Sequence, residues 1–258
     1  IIKNNPGKNF NFYFIIPPNE KIDIFNYSLL LPEQSRIIVK HYQYSQTYIP
    51  KRSKLRCIWD GIIVVKLHLK DILTDIEKVL YLDTDIINVA PISDLWKYPL
   101  ENKTIGGTKR VFYKKVYHVN SGVILYNLKF LRKQSQKLWQ CANKRLCEID
   151  DYWHTYCLKK SRLEIPYRYD VEFSGMVLFK NITKLQLDEE SKVVFYHVKD
   201  HYHRFYNSKS IDDFRNFTLI ANNTRVLNKF KKLFEISDWV NNEVIYRSKK
   251  INRIMMDF

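Results

Sequence analysis

Runs of aromatic and β-branched residues alternate with stretches of helical periodicity along residues 10–82, and this alternation is what most narrows the fold. Residues 10–16 (FNFYFII), closed by Pro17-Pro18, predict a buried strand. A helical pattern covers about residues 22–31 and stops at Pro32. Residues 36–42 (RIIVKHY) predict a second strand, residues 54–73 a long helix, and residues 79–82 a third strand that runs directly into Asp83-Thr84-Asp85. Strands that alternate with helices predict an α/β domain with a largely parallel sheet.

Beyond Pro91 the pattern is less regular. Residues 93–96 read as a short capped turn of helix, 104–109 and 119–126 as strands, 127–145 as a basic amphipathic helix, 149–159 as a second helix and 193–198 (VVFYHV) as a late strand. From Arg225 onward the chain is helical in pattern and basic. No repeat or linker interrupts it, so one domain over residues 1–222 followed by a basic helical tail over 223–258 is expected. Apolar residues make up 45% of the 258, with 6 Gly and 8 Pro, which supplies a core and excludes disorder and collagen. No apolar run approaches the ~20 residues of a membrane-spanning helix. Cys57, Cys141, Cys147 and Cys157 lack the paired spacing of a zinc site and are too sparse for a disulfide framework, so reduced, mostly buried thiols are expected. Triplets of the N-x-S/T type at Asn26, Asn102, Asn181, Asn216 and Asn222 decide nothing about compartment in so Asn-rich a chain. The cytoplasm, or the cytoplasmic face of a membrane, is the expected location.

The segment that carries chemistry is Lys78 to Ile87. Asp83 and Asp85 form the only Asp-x-Asp in the chain, at the end of an apolar strand, where open α/β sheets bind ligands. In the kink that ends a strand both carboxylates can face one hard cation, which in turn neutralises a diphosphate. A solvated acidic turn is the plainer alternative. A third ligand is wanted, and His197 at the end of the late strand is the candidate, with His201 and His203 as competitors. Asn120-Ser121-Gly122 reads as a small-residue turn into an apolar strand, where backbone can approach a ligand and the Asn amide can meet sugar hydroxyls. Asp150 and Asp151 are further carboxylates able to bind hydroxyls, or simply favourable charges at a helix start.

Residues 78–87 and 119–128 (VNSGVILYNL) resemble the two strongest signatures of glycosyltransferase family 8, the group of glycogenin and of lipopolysaccharide galactosyl- and glucosyltransferases. The likeness runs in order from about Phe10 to His203. It implies an α/β GT-A fold, Rossmann-like with a mixed central sheet, a UDP-sugar donor, Mn2+ or Mg2+, and transfer of glucose or galactose to a saccharide or protein hydroxyl with retention. By the same resemblance Asp83, Asp85 and His197 bind the metal. Lys66, seventeen residues before Asp83, reaches the donor, together with Asn120, Ser121 and Gly122. Asp150 and Asp151, with Asn120, are the catalytic candidates. The family's D-Q-D segment reads EIDD over residues 148–151, and its Lys-Pro-Trp is replaced by His203-Arg204-Phe205. His203, Arg204 or Lys199 is left to supply the positive charge at the diphosphate. The family's opening strand, which builds part of the uridine pocket, is not found in the given sequence, so by the resemblance either those residues lie outside it or base recognition is impaired.

A net charge of +16 suggests nucleic acid, but no binding motif accompanies it, and the ordered Asp, Asn-Gly and His series would stay unexplained. No nucleic-acid partner is therefore expected. For the basic tail, contact with an anionic membrane competes with a merely solvated helix face, and self-association as a homodimer and self-glycosylation on one of 18 Tyr are further options. A family member that binds carbohydrate without catalysis is the competing reading.

Overall fold

The computed structural model describes residues 1–22, 24, 28–43, 60–111, 117–142, 154–172 and 193–197. Strand β1 (Asn11–Ile16) pairs in parallel with β2 (Arg36–His41). Helix α1 (Asp60–Ile72) leads into β3 (Lys78–Leu82) and the short β4 (Ile86–Asn88). After α2 (Ser93–Trp96) come β5 (Ile105–Val111), the long β6 (Tyr117–Asn127), and helices α3 (Leu128–Lys133) and α4 (Ser135–Ala142). Strands β7 (Arg162–Ile165), β8 (Val171–Glu172) and β9 (Phe195–His197) complete the described elements.

The pairing is mixed, which corrects the expectation of a largely parallel sheet. One sheet has the order β3-β6-β5-β7, antiparallel at β3/β6 and β5/β6 and parallel at β5/β7. Another has the order β4-β9-β8, antiparallel at β4/β9 and parallel at β8/β9. Hydrophobic periodicity marks where strands lie and carries no direction, so the sense of pairing was not readable from it. The mixed sheet implied by the family resemblance is what forms.

Strand β6 is the centre of the packing. Val123, Ile124, Leu125 and Tyr126 are all fully buried, which explains an uninterrupted apolar run where a half-exposed strand would alternate. Ile124 and Tyr126 face one cluster with Leu67 and Leu69 of α1, Leu73 just past its end, and Leu128 and Leu131 of α3. Val123 faces another with Leu95, Ile165, Tyr169 and Phe195. Gly107 of β5 lies against this strand: a Cβ there would sit 2.6 Å from Val119 Cγ1 and 2.9 Å from Ile124 Cδ1. The buried Tyr126 hydroxyl meets His154 Nε2 at 2.6 Å, and Val119 N–H donates to Thr155 Oγ1 at 2.7 Å, so residues 154–155 are fixed to β6.

Several expected elements change shape. The helix expected over 127–145 is two helices broken at Gln134, whose N–H lies 3.2 Å from both Phe130 O and Leu131 O in a tightened turn. Asn127 caps the first of them by accepting the Phe130 N–H at 2.9 Å. Among the described residues, the helix expected over 149–159 is seen at residues 154–156, and that over 22–31 contributes one helical bond, Ser28 N–H to Ile24 O. The tail and the 222/223 boundary lie outside the described residues. Cys141 and Cys157 form a disulfide, correcting the expectation that the cysteines are reduced. The spacing of 16 residues gave no sign that the end of α4 and the segment after His154 meet. Among the described residues no helix is long and apolar enough to cross a membrane.

Arg132 of α3 donates to the carbonyls of Lys70, Leu73 and Ile76 at 3.3, 3.4 and 3.1 Å, satisfying the C-terminal end of α1 and the turn that follows it. Replacing it with Met keeps much of the packing and removes these charged bonds. The expected cost is about 1.5–3 kcal/mol in denaturant unfolding. A change under about 0.5 kcal/mol would contradict this role.

Candidate active site

The Asp-x-Asp segment forms the turn between β3 and β4. The antiparallel ladder of β3 with β6 continues one step past Leu82, with Asp83 N–H donating to Gly122 O at 2.9 Å. Ile86 N–H then bonds back to Asp83 O at 3.2 Å, closing the turn. Asp83 is held from two sides: Lys66 Nζ, on the buried face of α1, lies 3.1 Å from Oδ1, and the Tyr81 hydroxyl donates to the same oxygen at 2.7 Å. Lys66 also donates to Ser121 O and Oγ at 3.3 and 3.4 Å and lies 4.7 Å from the centroid of the Tyr81 ring. Both contacts to Asp83 fall on Oδ1.

Strand β9 brings in the third donor. Ile86 pairs with His197, which sets the imidazole beside the turn, with Nε2 3.4 Å from Asp85 Oδ1. Asp83, Asp85 and His197 each offer a ligand atom, and these atoms all lie within 4.8 Å of one another. Two carboxylates and an imidazole suit Mn2+, and Mg2+ less closely because of the nitrogen. On the far side of the ring, His197 Nδ1 lies 3.2 Å from Asp170 Oδ1, and both side chains are buried. Burial by itself would push the His197 pKa down, but the Asp170 and Asp85 carboxylates outweigh it and raise the pKa from 6.5 to about 10.

Asn120-Ser121-Gly122 is not a turn entering a strand, as the sequence suggested, but a bulge within β6. Gly107 pairs with Ile124 and Lys109 with Val119, so Thr108 alone spans the four residues from Asn120 to Val123. Small residues are what such a distortion requires. The Asn120 side chain is buried, and its Oδ1 accepts the Gly122 N–H at 3.3 Å. Gly122 is there because of close approach: a Cβ on it would sit 2.5 Å from His197 Cε1 and 2.6 Å from Nδ1, inside the ring's own volume.

The structure thus brings Lys66, Asp83, Asp85, Asn120, Ser121, Gly122 and His197 to one place. Asp150, Asp151, Lys199, His201, His203 and Arg204 lie outside the described residues. Sequence reasoning did not single out Tyr81 or Asp170. The first had a signal, since period two puts Tyr81 of β3 and Asp83, one step past its end, on one face. The second had none, being one Asp between Tyr169 and Val171 with no motif around it.

Because the folded-state pKa of His197 lies above its value in the unfolded chain, the imidazolium stabilises the metal-free fold fully below about pH 6.5, and that contribution is lost as pH rises toward about 10. Thermal unfolding in a chelator should show a melting temperature that declines across this window. His197→Gln should decline less. A decline of equal size in both proteins would contradict the assignment.

The family model described as glycosyl transferase family 8 matches residues 1–199. No curated protein matches the chain. Among solved structures, an active-site mutant of LgtC aligns with a TM-score of 0.56 at 17% identity, covering 81% of this chain and 94% of that one. Galactosyltransferase LgtC in complex with donor and acceptor sugar analogues aligns with a TM-score of 0.55 at 15% identity, covering 87% and 95%. The glycosyltransferase GlyE of Streptococcus pneumoniae TIGR4 aligns with a TM-score of 0.54 at 19% identity, covering 86% of this chain and 56% of that one. At these identities the structural likeness speaks for the fold, while the family model spans most of the chain. The chain belongs to glycosyl transferase family 8 and has the GT-A fold of a glycosyltransferase.

Proposed function

We propose that the chain transfers a hexose, glucose or galactose, from a UDP-sugar to a hydroxyl of a saccharide or protein acceptor, with retention of anomeric configuration and with a divalent cation at Asp83, Asp85 and His197. The observation that carries this reading is the convergence of those three donors at the end of the β3/β6 ladder. A cation bound there supplies charge neutralisation to the departing diphosphate. Lys66 holds Asp83 in place and keeps a positive charge beside the same turn. Asn120, Ser121 and Gly122 bring small side chains and backbone to the cation site, which suits contact with the donor sugar and ribose. Asp150 is assigned to the donor sugar with Asp151 as its alternative, and His203 or Arg204 to the diphosphate.

Retention is assigned to attack on the face from which UDP departs. The acceptor hydroxyl forms the new bond to the anomeric carbon as the bond to the phosphate oxygen breaks, and that oxygen takes the hydroxyl proton. No described carboxylate is assigned as a covalent nucleophile. The absence of Lys-Pro-Trp after His197 favours one rival, a member of the family that binds donor without turning it over.

Hydrolysis of UDP-glucose and UDP-galactose by the whole chain, with and without Mn2+, separates the two. Release of UDP that requires Mn2+ and falls by at least about 100-fold in Asp85→Ala is expected, the scale at which loss of one charge-stabilising group is felt. Mn2+-dependent binding of UDP with no turnover of either donor would support the non-catalytic reading instead.

A further inference from the structure

Asp170 is the one fully buried carboxylate among the described residues, and the site as outlined so far gives it no task beyond its position. A buried carboxylate is costly unless a partner compensates it, and an apolar residue of similar size would have packed more cheaply between Tyr169 and Val171. Its two oxygens are divided between two elements. Oδ2 accepts the Val123 N–H of β6 at 3.2 Å, while Oδ1 and His197 Nδ1 on β9, both buried, lie 3.2 Å apart as an ion pair that is not aligned as a hydrogen bond. The residue itself is anchored by the chain on both sides: Asp170 N–H bonds to Tyr167 O at 3.0 Å, and β8 starts at Val171, pairing in parallel with β9. Asp170 therefore ties the imidazole to the strand whose Gly122 makes room for it.

The other ring nitrogen, Nε2, faces Asp85 and the cation donors. An imidazole can ligate a cation only through a nitrogen that carries no proton, and a carboxylate at the second nitrogen fixes which one that is. We propose that Asp170 is a positioning residue for the cation site: it keeps the proton on Nδ1 of His197, holds the ring against Gly122 and leaves Nε2 as the nitrogen that gives up its proton to the cation shared with Asp83 and Asp85. This role rests on the cation reading given above. Asp170 itself does not touch the cation.

The test uses the whole chain with Mn2+ alone as probe, free Mn2+ being counted by its electron paramagnetic resonance signal. Asp170→Asn should weaken Mn2+ binding by about 10–100-fold. The same change made in a His197→Ala background should alter the dissociation constant by less than about twofold, because the residue acts through the ring. An unchanged affinity in Asp170→Asn, or an equal loss in both backgrounds, would overturn the role. A purely structural contribution would lower the melting temperature of Asp170→Asn without producing this dependence on His197. Should Asp170→Asn fail to fold, the 15N imidazole spectrum of the unsubstituted chain loaded with Zn2+ decides: a proton on Nδ1 of His197 supports the role, and a proton on Nε2 overturns it. If the unsubstituted chain does not bind Mn2+ saturably, the cation reading itself falls, a result distinct from binding that ignores Asp170.

Discussion

The His197 ring occupies the space that a side chain on Gly122 would fill, and the site depends on that contact. It puts the end of β9 against the middle of β6, next to the point where Asp83 takes its ladder bond from Gly122 O. One glycine thereby meets two of the three cation donors, Asp83 through its carbonyl and His197 through its missing Cβ. The third, Asp85, is fixed by the turn between them. The remainder of the core keeps β6 from moving, with apolar clusters on both of its faces.

The electrostatics run against the charge of the chain. With a net charge of +16 the protein as a whole attracts anions, yet the described site has three carboxylates, Asp83, Asp85 and Asp170, facing one lysine and one imidazole. Such a balance gathers a cation first and an anionic donor through it. Lys66, 2% exposed, is set by its bonds to Asp83 and Ser121 and keeps the acidic turn in register. A buried lysine beside the acidic turn is a fixed positive charge that needs no rearrangement when an anion arrives.

How much of this was legible in the sequence follows from what each element is made of. Strands β1, β2, β3 and β6 are long enough for their apolar runs to show, and Asp83 and Asp85 were exposed as a pair by the strand before them. Strands β4, β7 and β8 have three, four and two residues and no period to detect; they exist because longer neighbours offer them a partner. The bulge at Asn120-Ser121-Gly122 looked like a turn because its residues are turn residues, and only the register with β5 shows that the strand continues through it. His197 was readable as the end of an apolar run. Asp170, whose burial and partners arise wholly from tertiary contact, was not, and neither was the Cys141–Cys157 bond.

The central claim is that Asp83, Asp85 and His197 hold one divalent cation beneath a nucleoside diphosphate. Pulsed electron paramagnetic resonance of Mn2+ bound to the whole chain tests it most directly. The account predicts coupling to one imidazole nitrogen, lost in His197→Gln, and new 31P couplings when UDP is added. Bound Mn2+ with no nitrogen coupling, or with no 31P coupling in saturating UDP, would contradict it.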